Sequence, residues 1–139
     1  MGTALELNRD VNAAMKNRSS GKQINVRLTE DEEKKLTYVI DQLFYQNVTD
    51  AVRDMLRNVY LESQAVTGEQ MKEIVGRLPF DFATKTTQIN MRLNTREAQM
   101  SEVLKDKFAG ESISDVIRIL IGLYYNTAKT KKLQNRIVA

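Results

Sequence analysis

Residues 23–28, Gln-Ile-Asn-Val-Arg-Leu, alternate polar and apolar positions, and residues 88–93, Gln-Ile-Asn-Met-Arg-Leu, do the same. A period of two marks a strand with one wet and one buried face, so strands are expected over 22–29 and 87–94. Ile24, Val26, Leu28, Ile89, Met91 and Leu93 would face inward. Gln23, Asn25, Arg27, Gln88, Asn90 and Arg92 would face out. Behind each strand the period changes to that of a helix. Thr29 with Glu32, and Asn94 with Glu97, have the spacing of a capping box, which opens a helix. Leu36, Val39, Ile40 and Leu43 then form an apolar stripe, matched by Met100, Val103, Leu104 and Phe108. Residues 44–47 and Gly110 are expected to break these helices. Asn47 and Ser112 are N-cap candidates for a further helix in each half. Val48, Val52, Met55, Leu56 and Val59 would be the buried face of the first of these.

The two hexapeptides begin at positions 23 and 88, 65 residues apart, and at that offset the match continues without a gap. Val48–Arg53 falls on Ile113–Arg118, and Tyr60 falls on Tyr125. The chain therefore carries a strand-helix-helix unit of about 40 residues twice, too few copies for a solenoid. A lone strand leaves its backbone N–H and C=O groups without partners. With two such strands and no other clear one, antiparallel pairing of 22–29 with 87–94 over four core helices is the economical arrangement. The predicted fold is mainly α: a tandem pseudo-dimer with a two-stranded antiparallel β-ribbon, four core helices and a linker helix. Its parts are an N-terminal arm (1–21), a first repeat (22–63), a linker (64–86), a second repeat (87–128) and a basic tail (129–139). In the linker, Met71, Ile74, Val75 and Leu78 have helical spacing and Pro79 ends the segment. Helix 113–125 is more apolar than its counterpart, with Ile119, Ile121 and Leu123 in place of Asp54, Leu56 and Asn58. Such a helix wants cover on a second side. The linker is expected to supply part of it, and self-association is left open.

Composition narrows the function. Of 139 residues, 42% are hydrophobic and 28% charged, ordinary for a globular chain. No apolar run approaches the ~18 residues of a membrane span, and residues 1–22 lack a signal-like apolar stretch, so a cytoplasmic location is expected. The chain has no Cys and no His. That removes disulfides, thiolate metal sites and the commonest general base. Gly-rich phosphate loops and nucleophile–base constellations are missing too, so neither an enzyme nor a cofactor, metal or small-molecule substrate is expected. The acidic run Asp31-Glu32-Glu33 falls in a helix's first turn, where negative charge is favourable. The net charge is +3, but residues 1–28 carry +3 and residues 129–139 carry +4, leaving −4 between them. Basic ends of this kind suit nucleic acid phosphates, or act as solubilising tails.

Strand, capping box, two helices and a gapless repeat together resemble the ribbon-helix-helix family of DNA-binding proteins, over roughly 22–62 and 87–127. That family normally dimerises to pair two strands; this chain looks like a single-chain version. The outward Gln-x-Asn-x-Arg is similar to the family's DNA-reading strand. Independently of the family, Asn and Gln can take adenine bidentately, and Arg can take guanine. All three outward residues are identical in the two repeats, while other positions have drifted, such as Asp54 against Ile119 and Arg57 against Gly122. A merely solvated face would tolerate almost any polar residue. The resemblance implies double-stranded DNA as partner and Gln23, Asn25, Arg27, Gln88, Asn90 and Arg92 as base readers. It also implies phosphate contacts where each second helix starts: Asn47, Val48 and Thr49, and Ser112, Ile113 and Ser114. Arg18 and Lys22, leading into the first strand, would lie near DNA. Asp50 and Asp115 close by would repel phosphate somewhat. The expected function is a transcriptional repressor of an inverted-repeat operator. The alternatives are a relaxosome accessory or plasmid-partition protein, and an antitoxin-like interaction module.

Overall fold

The two alternating segments become β1 (Lys22–Thr29) and β2 (Lys85–Leu93), the only strands among the described residues, and they pair antiparallel. The structure, a computed structural model, describes residues 21–78 and 83–138, the last eight as backbone only. Five helices complete these residues: α1 (Glu30–Gln42), α2 (Val48–Ser63), α3 (Gly68–Gly76), α4 (Thr95–Phe108) and α5 (Ile113–Val138). The chain is thus mainly helical with one two-stranded sheet. None of its described helices is long and apolar enough to cross a membrane.

Register follows the alternation. Gln23 lies opposite Arg92, Asn25 opposite Asn90 and Arg27 opposite Gln88 on one face; Ile24–Met91 and Val26–Ile89 pair on the other. Val26, Leu28 and Leu93 are fully buried, Ile24 and Met91 nearly so, and Ile89 partly. A one-residue slip would expose that whole apolar set, so the pattern itself holds the register. β2 starts two residues earlier than expected. Beyond Leu28–Thr87 the ladder is irregular, and Thr29 pairs with Lys85. Thr86 is the extra residue of this bulge.

The helix starts are as the sequence predicts. Thr29 Oγ1 accepts from the Glu32 amide at 3.2 Å, and Glu32 Oε1 accepts from the Thr29 amide at 3.0 Å. Asn94 and Glu97 repeat the exchange at 2.8 and 3.0 Å. Thr67 and Gln70 do it again for α3. Each such cap contributes ~1 kcal/mol.

The first helix of each repeat ends where expected, just before residues 44–47 and just before Gly110. Gly110 does not take the left-handed position after α4; Ala109 does, at φ 56°. Among the described residues the other non-glycine at positive φ is Phe44, at φ 60°, which stands 65 positions earlier. The Gly110 amide instead bonds the Lys105 carbonyl at 2.9 Å, closing the turn from one residue further on. A side chain in the left-handed region costs ~1–2 kcal/mol. Ala109→Gly is therefore expected to stabilise the fold by ~0.5–1 kcal/mol, strain relief outweighing the freer unfolded chain. Thermal melting would show this as a Tm raised by a few degrees; an unchanged or lowered Tm would contradict it.

The core lies between the ribbon's apolar face and α1, α2, α4 and α5. From α2 come Ala51, Val52, Met55 and Leu56, all fully buried, and from α5 Val116, Ile117, Leu120 and Ile121. Two members of the expected stripes fall outside it. Leu43, the residue that caps α1, is 38% exposed, and Val103 is 39% exposed on α4. Their helix faces turn past the edge of the core. The linker does cover α5: Leu78 packs on Gly122, where an added Cβ would come within 3.6 Å of a Leu78 methyl. Met71 of α3 is buried as well. A cavity of about 300 Å³ remains between α2, α3 and α5, lined among others by Val59, Met71, Ile74, Leu123 and Tyr124. Residues 129–138, read from the sequence as a separate tail, continue α5 to Val138. They contain no Gly or Pro, and Lys, Leu, Gln and Arg are good helix formers. Lys129 sits over the Tyr125 ring at 5.1 Å.

Two arginine–glutamate pairs join the repeats crosswise. Arg118 Nε donates to Glu32 Oε2 at 2.7 Å, with both side chains buried. At the same offset, Arg53 Nε lies 3.4 Å from Glu97 Oε1. Each capping-box glutamate thus serves its own helix start and an arginine of the other repeat. On the far side of α2, Asn58 Nδ2 bridges Asp54 (3.3 Å) and the Tyr124 hydroxyl (3.0 Å). The Tyr45 hydroxyl also bonds Asp54; burial, then that bond, push its phenol well above the ordinary range.

Candidate nucleic-acid interface

All six residues expected on the wet face, Gln23, Asn25, Arg27, Gln88, Asn90 and Arg92, are exposed there. Each end of the face shows one Gln and one Arg, and the two asparagines meet in the middle. Gln88 Nε2 donates to Asn90 Oδ1 at 2.8 Å. That bond leaves Gln88 Oε1 as an acceptor and Asn90 Nδ2 as a donor, the pair of functions an adenine edge requires.

The second helices hold the ribbon's edges. Ser114 Oγ donates to the Asn25 carbonyl at 3.2 Å, tying the start of α5 to β1. Arg53 Nη2 donates to the Arg92 carbonyl at 2.6 Å, tying α2 to β2. Both carbonyls belong to wet-face residues, so these bonds fix where the Asn25 and Arg92 side chains start.

The expected phosphate-binding residues divide into several kinds. Asn47 caps α2 through the Asp50 amide at 2.8 Å, and Ser112 Oγ accepts from the Asp115 amide at 3.2 Å. Val48 and Thr49, and Ile113 and Ser114, occupy the first turns behind these caps, where amides have no intrahelical carbonyl to bond. An anion is favoured at such a helix start. Only the backbone of Ile113 is available, since its side chain is buried. Ser114 spends its hydroxyl hydrogen on Asn25, so it too offers its amide. Asp50 and Asp115 are engaged locally, Asp50 by Asn47 Nδ2 at 3.1 Å and Asp115 by the Glu111 amide at 3.1 Å. Those bonds offset part of their repulsion. Lys22 lies 3.5 Å from Glu102 with both side chains about half exposed, 50% and 49%. Glu102 is held below the ordinary carboxylate range by its bond to Lys105 first and by Lys22 second. A pair this exposed is screened by water and gives way readily to a phosphate. Arg18 lies outside the described residues.

Two cations at the ribbon escaped the sequence reasoning. Lys85 is exposed at the start of β2, hidden from the sequence because the strand was expected to begin at 87. Arg53 sits on the outer edge of β2. Its signal was present: Arg53 and Arg118 are identical at the repeat offset, as are Asp50 and Asp115, and Tyr60 and Tyr125, within helices whose other positions differ. Comparison with protein-family models, with characterised proteins and with solved structures gave no match.

Proposed function

We propose that the chain is a sequence-specific double-stranded DNA-binding protein, used as a transcriptional repressor, which lays its ribbon in the major groove. The observation that supports this most is the register. Asn25 faces Asn90, its own counterpart 65 residues on, and the pair Gln23–Arg92 becomes Gln88–Arg27 under the same offset. The wet face therefore repeats itself under a half-turn through the central asparagines. In this reading the two repeats act as a pseudo-dimer, and such a face fits an inverted repeat read at equivalent positions.

Dimensions agree with the proposal. Two strands spaced ~4.8 Å apart enter a groove ~12 Å wide, which leaves room for side chains on each edge. Arg27 and Arg92 would take guanine O6 and N7, and the amides would take adenine N6 and N7. The first-turn amides of α2 and α5, beside the ribbon, would receive the flanking phosphates. The molecule represses by occupying a promoter and needs no covalent chemistry.

Selection from a pool of randomised duplexes tests the reading. The expected product is an inverted repeat with purine-rich outer positions and an adenine-bearing centre. A pool that stays random after repeated selection would remove the function. The position of the selected site in the source genome, promoter or transfer origin, then assigns its use.

A further inference from the structure

The two repeats are alike in what they read and unlike at one edge. Arg53 and Arg118 occupy equivalent positions and face equivalent glutamates, yet their settings differ. Arg118 is 4% exposed in its side chain and bonded to Glu32 at 2.7 Å. Arg53 is 37% exposed, lies 3.4 Å from Glu97, and its buried Nε makes no hydrogen bond. Its Nη2 reaches instead to the outward carbonyl of Arg92, so the guanidinium rests on the outer edge of β2.

The edge of a ribbon seated in the major groove faces the sugar–phosphate wall, across a gap that an edge side chain can span. A guanidinium there, pinned by a carboxylate and a carbonyl, has remaining donors in a planar fork that matches phosphate oxygens. Building on the DNA-binding reading, we propose that Arg53 binds a backbone phosphate that Arg118 cannot reach in the other half. The protein therefore seats on its site in one orientation, despite a nearly symmetric reading face.

The neighbourhood supports a difference in kind between the ends. The Arg53 end also carries Lys22, held near Glu102. At the position equivalent to Lys22 the other end carries Thr87, whose hydroxyl bonds Glu33. Lys85 lies beyond it, an exposed point charge rather than a pinned fork. Glu97 lowers the net charge at Arg53 but also orients it.

Phosphate ethylation interference on the wild-type protein and its selected duplex tests the assignment directly. The expected pattern is symmetric over the helix-start phosphates, with one further strong position flanking a single half-site. Salt titrations of two variants give a second measurement. Arg53→Gln should flatten the slope of log K against log salt by about 0.9, one phosphate, and Arg53→Lys should keep the wild-type slope. Equal interference on both flanks, or a wild-type slope in Arg53→Gln, overturns the proposal. If Arg53→Gln fails to fold, the interference pattern on the wild type decides. Absence of any specific duplex binding would bring down the DNA-binding reading and this assignment together. Specific binding with symmetric interference would bring down this assignment alone.

Discussion

Arg118→Met is expected to destabilise the protein by about 3–5 kcal/mol, read as a lower midpoint in chemical denaturation at unchanged slope. Glu32 would keep its bond to the Thr29 amide but lose the guanidinium on its other oxygen, leaving a carboxylate charged and 7% exposed. Against a total of ~5–15 kcal/mol for a domain, that loss is large. Arg53→Met should cost less, because its pair is longer and water already reaches the arginine, which is 37% exposed, although Glu97 itself is buried. The double variant Glu32→Gln with Arg118→Met should regain most of the loss, since Gln still completes the capping box and no charge remains buried. A cost below about 1 kcal/mol for Arg118→Met would mean that Glu32 finds water or a proton instead.

Replacing Arg27 and Arg92 together with Ala is expected to weaken binding to the selected duplex by ~2–6 kcal/mol, two contacts of ~1–3 kcal/mol each. That is roughly 30-fold to more than 10⁴-fold in Kd. Folding stability should change by less than ~0.5 kcal/mol, because both side chains are exposed and the Arg92 carbonyl that Arg53 holds is untouched. Binding to unrelated duplex should fall far less. Equal loss on both duplexes would make the two arginines phosphate contacts and remove their reading role.

Much of the fold is legible in the residues. Alternation places both strands and their buried faces, and the Thr29–Glu32 and Asn94–Glu97 spacings place two helix starts, because these effects act within a few residues. The wet face is legible for the same reason. Effects that act across the chain are not. Glu32 and Arg118 are 86 residues apart, and nothing in their local pattern announces that a capping glutamate also binds a distant arginine. Gly110 marks the end of α4 in the sequence, but nothing in the sequence shows that Ala109, not the glycine, takes the left-handed position. The charge of Lys129 and its neighbours suggests a tail, while their helix propensity lets α5 run on. The unequal exposure of Arg53 and Arg118 arises from packing around positions the sequence makes identical.

Methylation interference on the selected duplex tests the central claim most directly, since one reagent marks guanine N7 in the major groove and adenine N3 in the minor groove. Interference at guanine N7 in both half-sites, with none at adenine N3, is the result predicted for a ribbon lodged in the major groove with Arg27 and Arg92 on base edges. Interference confined to adenine N3, or absent from both, would contradict it.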